Sequence, residues 1–507
     1  MDRKRKAIKT ANSGIILNII IIFLGFVTQS LFIKTLGIEY SGVNAVFTSV
    51  ISIMTMADLG VSTAVIFNLY EPLAKNNKKK IAALMQFYRK ACFLIGFIIL
   101  SGGVILLPFA SMMLGEKSID ANVYIIFAAF IINAVFMYFL NYRRPILLAD
   151  QSGYIVNWVM TSVMISQYVI KITILLFTKN YYLFTFSIIF CRLAENFIIN
   201  RIVDKKYPYI HQKNTLDKKT KKDIKQKIYA SIYHNTATYI VFSTDNIILS
   251  QLFGIFFAGI YSNYFMITNS LSKLVSQIFG ALTSGMGNIY AKEGKDYLYK
   301  TTKNIILLNS WIYTMISVAI FFCINSFIEV WIGKDYLLPS TVVIAIVFNF
   351  YLQGLRAPMS NVLGAAGILY ENRFIPLIEA AINLVASIVL AKIIGLSGIF
   401  IGTILSNLFL HMYSYSKYGF KLVFRRDPKE YIKILFKNIA MFGICIMINY
   451  LFLHPIKINS ALITFFIRGI VSIINTSIIF FIFYRKTEEF RYLYDSFKKM
   501  LGHRSRN

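Results

Sequence analysis

Charged side chains are scarce in this sequence. They make up 15% of its 507 residues, against 57% hydrophobic and 16% aromatic. A soluble domain carries about 25% charged and 45–50% apolar residues. So little charge cannot cover so much apolar surface in water, whereas in a bilayer the outer surface should itself be apolar. Cysteine is rarer still. Cys92, Cys191, Cys323 and Cys445 all fall inside apolar stretches, where they read as packing residues. Their spacing fits neither a disulfide framework nor a metal site. Catalytic signatures are missing too. There is no phosphate-binding loop, zinc-type His pair, nucleophile elbow or Gly-rich dinucleotide turn, and the five histidines are scattered. No cofactor and no metal is expected, and the chain is not read as an enzyme.

What the sequence has instead is long apolar runs. A spanning helix needs about 20 predominantly apolar residues. Such windows lie near 12–36, 43–70, 90–110, 122–142, 154–177, 182–203, 228–252, 258–285, 303–326, 339–356, 373–394, 399–420, 436–453 and 462–484. The runs are continuous rather than alternating, which excludes a barrel. The expected fold is all-α, a polytopic membrane protein of about 14 transmembrane helices.

The formal charge of +30 would suit nucleic acid if it were clustered on one domain, but its distribution follows the spans. One alternate set of loops holds 42 of the 53 Lys and Arg residues, and the opposite set holds only Lys117, Lys179, Lys334 and Lys457. Basic loops mark the cytoplasmic side. Both termini are therefore expected there, with Met1 to Lys9 leading straight into the first span rather than into a cleavable signal. Nucleic acid is not an expected partner. The Lys78-Lys79-Lys80 run reads as a topology signal and a contact for anionic membrane lipids, and 81–90 as an amphipathic stretch able to lie in the interface.

The most basic break, 204–227, divides the spans six and eight. Across it a short pattern recurs: Gly37-Ile38-Glu39-Tyr40-Ser41-Gly42-Val43 and Gly254-Ile255-Phe256-Phe257-Ala258-Gly259-Ile260, at an offset of 217. Both copies lie on the outer face and open a long helix, so the repeat is parallel, although Gly-containing turns also match by chance. The expected organisation is a six-helix lobe over 1–203, a cytoplasmic linker over 204–227, a second six-helix lobe over 228–420, and two extra helices with a basic tail over 421–507.

Ionisable groups deep within spans cost about 2.5–3.5 kcal/mol each at a helix centre, so they face a cavity or a partner. Asp58, Arg192, Glu195, Asp245 and Lys273 are of this kind. Arg192 and Glu195 can also pair on one helix face. Asp58, Asp245 and Lys273 can also be members of buried structural pairs. Arg143 and Arg144, after the fourth span, suit a pyrophosphate entering from the cytoplasm, and the positive-inside bias explains them equally well. The outer loops are short, which speaks against a membrane-embedded glycan-modifying enzyme.

The stretch 33–81, the segment RRPILLADQSGYI over 143–155, TDNIILSQLFGIFFAGIYSNY over 244–264 and IYAKEG over 289–294 resemble flippases for O-antigen, capsular and exopolysaccharide repeat units. That family lies within the multidrug/oligosaccharidyl-lipid/polysaccharide exporter superfamily. The resemblance implies two lobes around a central cavity, alternating access and a place in the bacterial cytoplasmic membrane. The implied substrate is an undecaprenyl-pyrophosphate-linked oligosaccharide, with a polysaccharide polymerase as a further partner. On that reading Lys273, Arg192, Arg143 and Arg144 hold the pyrophosphate, while Asp58, Asp245 and Glu195 serve coupling or line the cavity. A lipid II flippase and a multidrug cation antiporter of the same superfamily are the alternatives.

Overall fold

A computed structural model describes residues 3–55, 60–115, 119–212, 243–368, 371–454 and 460–504, with most of 214–224. Among them there are helices and turns and no strand, and eleven helices are long and apolar enough to cross a membrane. The protein is an all-α polytopic membrane protein. The chain divides into two compact units, Met1–Ser262 and Asn263–Asn507.

In the first unit the helices are α1 (Arg3–Leu36), α2 (Ile38–Met54), α3 (Val61–Ala74), α4 (Lys78–Leu106), α5 (Val123–Asn141), the short α6 (Arg144–Ala149), α7 (Gly153–Phe177) and α8 (Tyr181–Lys206). A helical segment over 243–253 and the start of α9 (Ile255–Lys292) complete it. Sequence signals open several of these helices. Asn77, Asn122 and Asn180 each cap a helix by accepting first-turn backbone N–H groups, which satisfies donors the helix itself leaves unpaired. Helices α4 and α5 pack closely because Gly96 and Gly103 leave room for Phe139 and Ile131.

The second unit continues α9 and adds α10 (Lys295–Trp331), α11 (Ser340–Leu355), the short α12 (Ala357–Ala365), α13 (Ile375–Ile394), α14 (Leu396–Phe409), a π-helical stretch (Leu410–Phe424), α15 (Pro428–Leu453), α16 (Ala461–Tyr484) and α17 (Glu488–Arg504). Helices α13 and α14 form a tight hairpin. A Cβ on Gly398 would stand 2.2 Å from the Leu390 carbonyl, and one on Gly402 would stand 2.4 Å from the Ser387 nitrogen. This is the small-xxx-small approach on which helix packing in lipid depends.

Two expectations change in detail. The span expected over 43–70 is two helices: α2 ends at Met54 and α3 begins at Val61, after Gly60 in a left-handed conformation (φ +107°). The intervening sequence is largely apolar apart from Thr55 and Asp58, so a hydropathy window runs straight through it. The stretch 81–90 is not a separate interfacial helix. It is the first part of the continuous α4, and Ile81 to Met85 are buried.

Candidate functional site

Both copies of the glycine pattern adopt the same backbone. Gly37 and Gly254 have φ of +103° and +88°, and a helix begins at Ile38 and at Ile255. The copies also meet within the first unit. A Cβ on Gly42 would lie 2.2 Å from the Ile255 carbonyl oxygen, and one on Gly259 would lie 2.3 Å from the Ile38 carbonyl oxygen. Each glycine thus receives the carbonyl of the residue four places before the other. Ser41 ties the same contact to Ser262 at 3.1 Å and accepts from Gln29 at 2.7 Å.

Several charged groups of the first unit gather around α6 and α8. Arg144 Nη2 donates to Glu195 Oε1 at 2.8 Å, and Arg192 Nη1 donates to Glu195 Oε2 at 3.1 Å. Glu195 is buried, with 9% of its side chain exposed, so it accepts two guanidinium groups in a low-dielectric setting. The trio carries one more positive than negative charge. The Nε atoms of Arg143, Arg144 and Arg192 are buried and have no hydrogen-bond partner among the described residues. Burial holds the Arg144 guanidinium below its ordinary pKa, against the pull of Glu195. Arg143 turns the other way, to Asp204 at 2.9 Å, and Asp204 also meets His211 at 2.9 Å. Beside this group, Lys206 and Tyr207 donate to Asp150 at 2.8 and 2.6 Å, and burial with the Asp150 carboxylate pushes the Tyr207 phenol up.

Of the residues singled out in the sequence, the fold therefore brings Arg144, Arg192 and Glu195 together and sends Arg143 to a neighbouring pair. Asp245 is buried in the segment over 243–253, where its charge bears on Tyr261. Lys273 lies on α9 in the second unit, is exposed, and has no carboxylate partner among the described residues. Asp58 lies outside the described residues.

One pair escaped the sequence reading. In the second unit Arg356 donates to Glu379, and both are buried, with 16% and 5% of their side chains exposed. Above them His411 is held by the Tyr431 hydroxyl at 2.8 Å and the Leu352 carbonyl at 2.9 Å, and Ser360 bonds Tyr415 at 2.8 Å. A signal for this pair was present. Arg143-Arg144-Pro145-Ile146 and Arg356-Ala357-Pro358-Met359 each start a short helix with proline in its first turn. At the edge of a span, Arg356 falls among the basic loop residues that mark the cytoplasmic side.

In three dimensions the chain is similar to an inward-facing multidrug resistance MATE family transporter of the MOP superfamily. The two are 12% identical, with a TM-score of 0.62, over 76% of this chain and 91% of that one. It is similar also to the lipid II flippase MurJ in an inward closed conformation, at 16% identity and a TM-score of 0.61, over 93% of this chain and 98% of MurJ. This is the fold of the MOP-superfamily transporters. A MOP-superfamily transporter from Pyrococcus furiosus shares it at 15% identity and a TM-score of 0.54, over 80% and 93% of the two chains. In sequence, no protein-family model and no curated protein matches the chain.

Proposed function

We propose that the protein is a flippase of the bacterial cytoplasmic membrane. Its cargo is an undecaprenyl-pyrophosphate-linked oligosaccharide repeat unit for a surface polysaccharide, moved from the inner to the outer leaflet by alternating access. The observation that carries this reading is the Arg144–Glu195–Arg192 trio, where two half-buried arginines share one buried carboxylate. The surplus charge and the unpartnered Nε donors suit an anionic head group, since arginine presents its donors in a fork that matches phosphate oxygens. A multidrug antiporter for organic cations would want the opposite balance, acids in excess. The pyrophosphate and glycan are the parts that cannot cross hydrocarbon unaided, while the polyprenyl tail can remain in lipid. Lys273 is a second candidate contact for the head group. Asp245 and Asp58 are candidates for coupling.

A lipid II flippase is the second reading, favoured by the near-complete overlap with MurJ. Its cargo carries the same pyrophosphate, so the trio does not separate the two. Deletion of the gene separates them. On the first reading, lipid-linked oligosaccharide accumulates on the inner leaflet, surface polysaccharide is lost, and the gene restores both. If the deletion strain exports polysaccharide normally and the gene instead rescues depletion of a lipid II flippase, the first reading is wrong.

A further inference from the structure

A cavity of about 460 Å3 opens on the first unit, between α4, the end of α5 and the turn over 208–211. That size is in the range of small-ligand sites, about 300–1,000 Å3. Its polar wall is Arg89, Lys90, Gln86, Tyr142 and His211, and its apolar wall includes Met85 and Phe93; among the described residues no acid lines it. Asp204, which meets the lining residue His211, is shared between His211 and Arg143. Arg89 and Lys90 are exposed and have no acid partner among the described residues. Arg89 is held over the faces of Phe93 and Tyr142, at 5.6 and 5.4 Å from the ring centroids, so the aromatic walls orient the cation without neutralising it.

Depth supplies the second argument. After Lys90, α4 runs from Ala91 to Leu106 without a charged residue, so the two cations stand where the hydrocarbon begins. Along the same side of the helix Leu94, Phe97 and Ile98 are 63%, 55% and 51% exposed, following Lys90 at helical spacing. Phe93 and Phe97 both pack on Phe139, at 4.9 and 5.3 Å, which makes that surface firm. A cationic cup at the interface thus continues into an apolar track of acyl-chain character.

The geometry points to a binding site for an anionic phospholipid. Its phosphate diester sits against Arg89 and Lys90, with Tyr142 as a further hydrogen-bond donor while the Gln86 amide donates to the Gln212 carbonyl, and one acyl chain lies along Leu94, Phe97 and Ile98. The site holds this lipid whichever cargo the protein moves.

The test is native mass spectrometry of the purified full chain titrated with phosphatidylglycerol, phosphatidylcholine or soluble glycerol phosphate. Phosphatidylglycerol binds first and tightest. The double variant Arg89→Gln/Lys90→Gln weakens that first event by about tenfold or more, the loss of two cations near an anionic head group. The charge-matched control Lys421→Gln/Lys429→Gln, at two exposed positions of the second unit, changes it by less than about twofold. The charge-preserving variant Arg89→Lys/Lys90→Arg retains binding, which separates loss of the site from loss of the fold. Equal weakening in the control overturns the site in favour of diffuse surface charge. Equal affinity for phosphatidylcholine overturns the charge argument, and competition by glycerol phosphate at the concentration of the lipid overturns the acyl track.

Discussion

Glu195 accepts from two arginines, so its three members respond differently to truncation. Arg192→Ala leaves Arg144 paired with Glu195, a neutral couple. Membrane abundance should then stay within about 30% of the parent, because no lone charge is stranded, while export of surface polysaccharide falls at least about tenfold, as befits a lost charge-assisted contact. Glu195→Ala strands two guanidinium groups. Removing one side of a buried pair costs about 3–5 kcal/mol, so this variant should be depleted in immunoblots of the same membranes. An Arg192→Ala protein with full export would remove the trio's surplus charge from the function. Arg356 and Glu379 give a contrasting case, since that pair is neutral and more deeply buried. Arg356→Ala should lose abundance on the same scale as Glu195→Ala, about 3–5 kcal/mol. The double variant Arg356→Met/Glu379→Leu should recover it, because an apolar pair of similar volume often replaces a buried ion pair without loss. Failure of the double variant to recover would mean that the arginine also serves His411, Tyr415 and Tyr431 above it.

At the scale of helices, the reciprocal approach of Gly42 and Gly259 makes a sharp demand on side-chain size. Gly42→Ala or Gly259→Ala drives a methyl group onto a backbone carbonyl at 2.2 or 2.3 Å. Overpacking of this kind costs about 1–3 kcal/mol, and a carbonyl fixed in a helix cannot swing aside. Gly443→Ala on α15 meets nothing within 4 Å and should leave abundance unchanged. Thermal melts of the three purified variants, with the first two shifted down and the third not, check this; a shift for Gly443→Ala as large as the others would remove the contact as the cause. The two glycine patterns were legible in the sequence, but their meeting was not, since a pattern fixes backbone conformation and says nothing of its neighbour. The long spans were legible for a simple reason, that bilayer thickness sets a length and a hydropathy together. The break between Met54 and Val61 was invisible because a single charge, Asp58, leaves the window across 43–70 apolar enough to read as one span. The Arg144–Glu195 bond was likewise hidden. The two residues stand 51 positions apart, on separate helices, and only the packing of α6 on α8 brings them within 2.8 Å.

Across the whole molecule, the charge asymmetry of the loops predicts a topology that chemistry can read directly. In a background with all four native cysteines replaced, a cysteine at position 217 should resist an impermeant maleimide added to intact cells and react after the membrane is opened, while one at position 179 should react from outside. Labelling of 217 in intact cells would reverse the orientation and with it the direction of transport. Lys273 then becomes the decisive residue of the second unit. A mid-span ammonium is retained where it has an anion to meet, and the described residues offer it no carboxylate. If that anion is the cargo's pyrophosphate, Lys273→Ala abolishes export at normal abundance and Lys273→Arg keeps part of it, since the guanidinium preserves the charge but not the reach. If the anion is instead Asp58, Lys273→Ala strands an acid and abundance falls, and Asp58→Ala added to it restores both abundance and export. The expected result is lost export, normal abundance and no rescue. Full export by Lys273→Ala alone would leave the arginines of the first unit as the sole candidates for holding the head group.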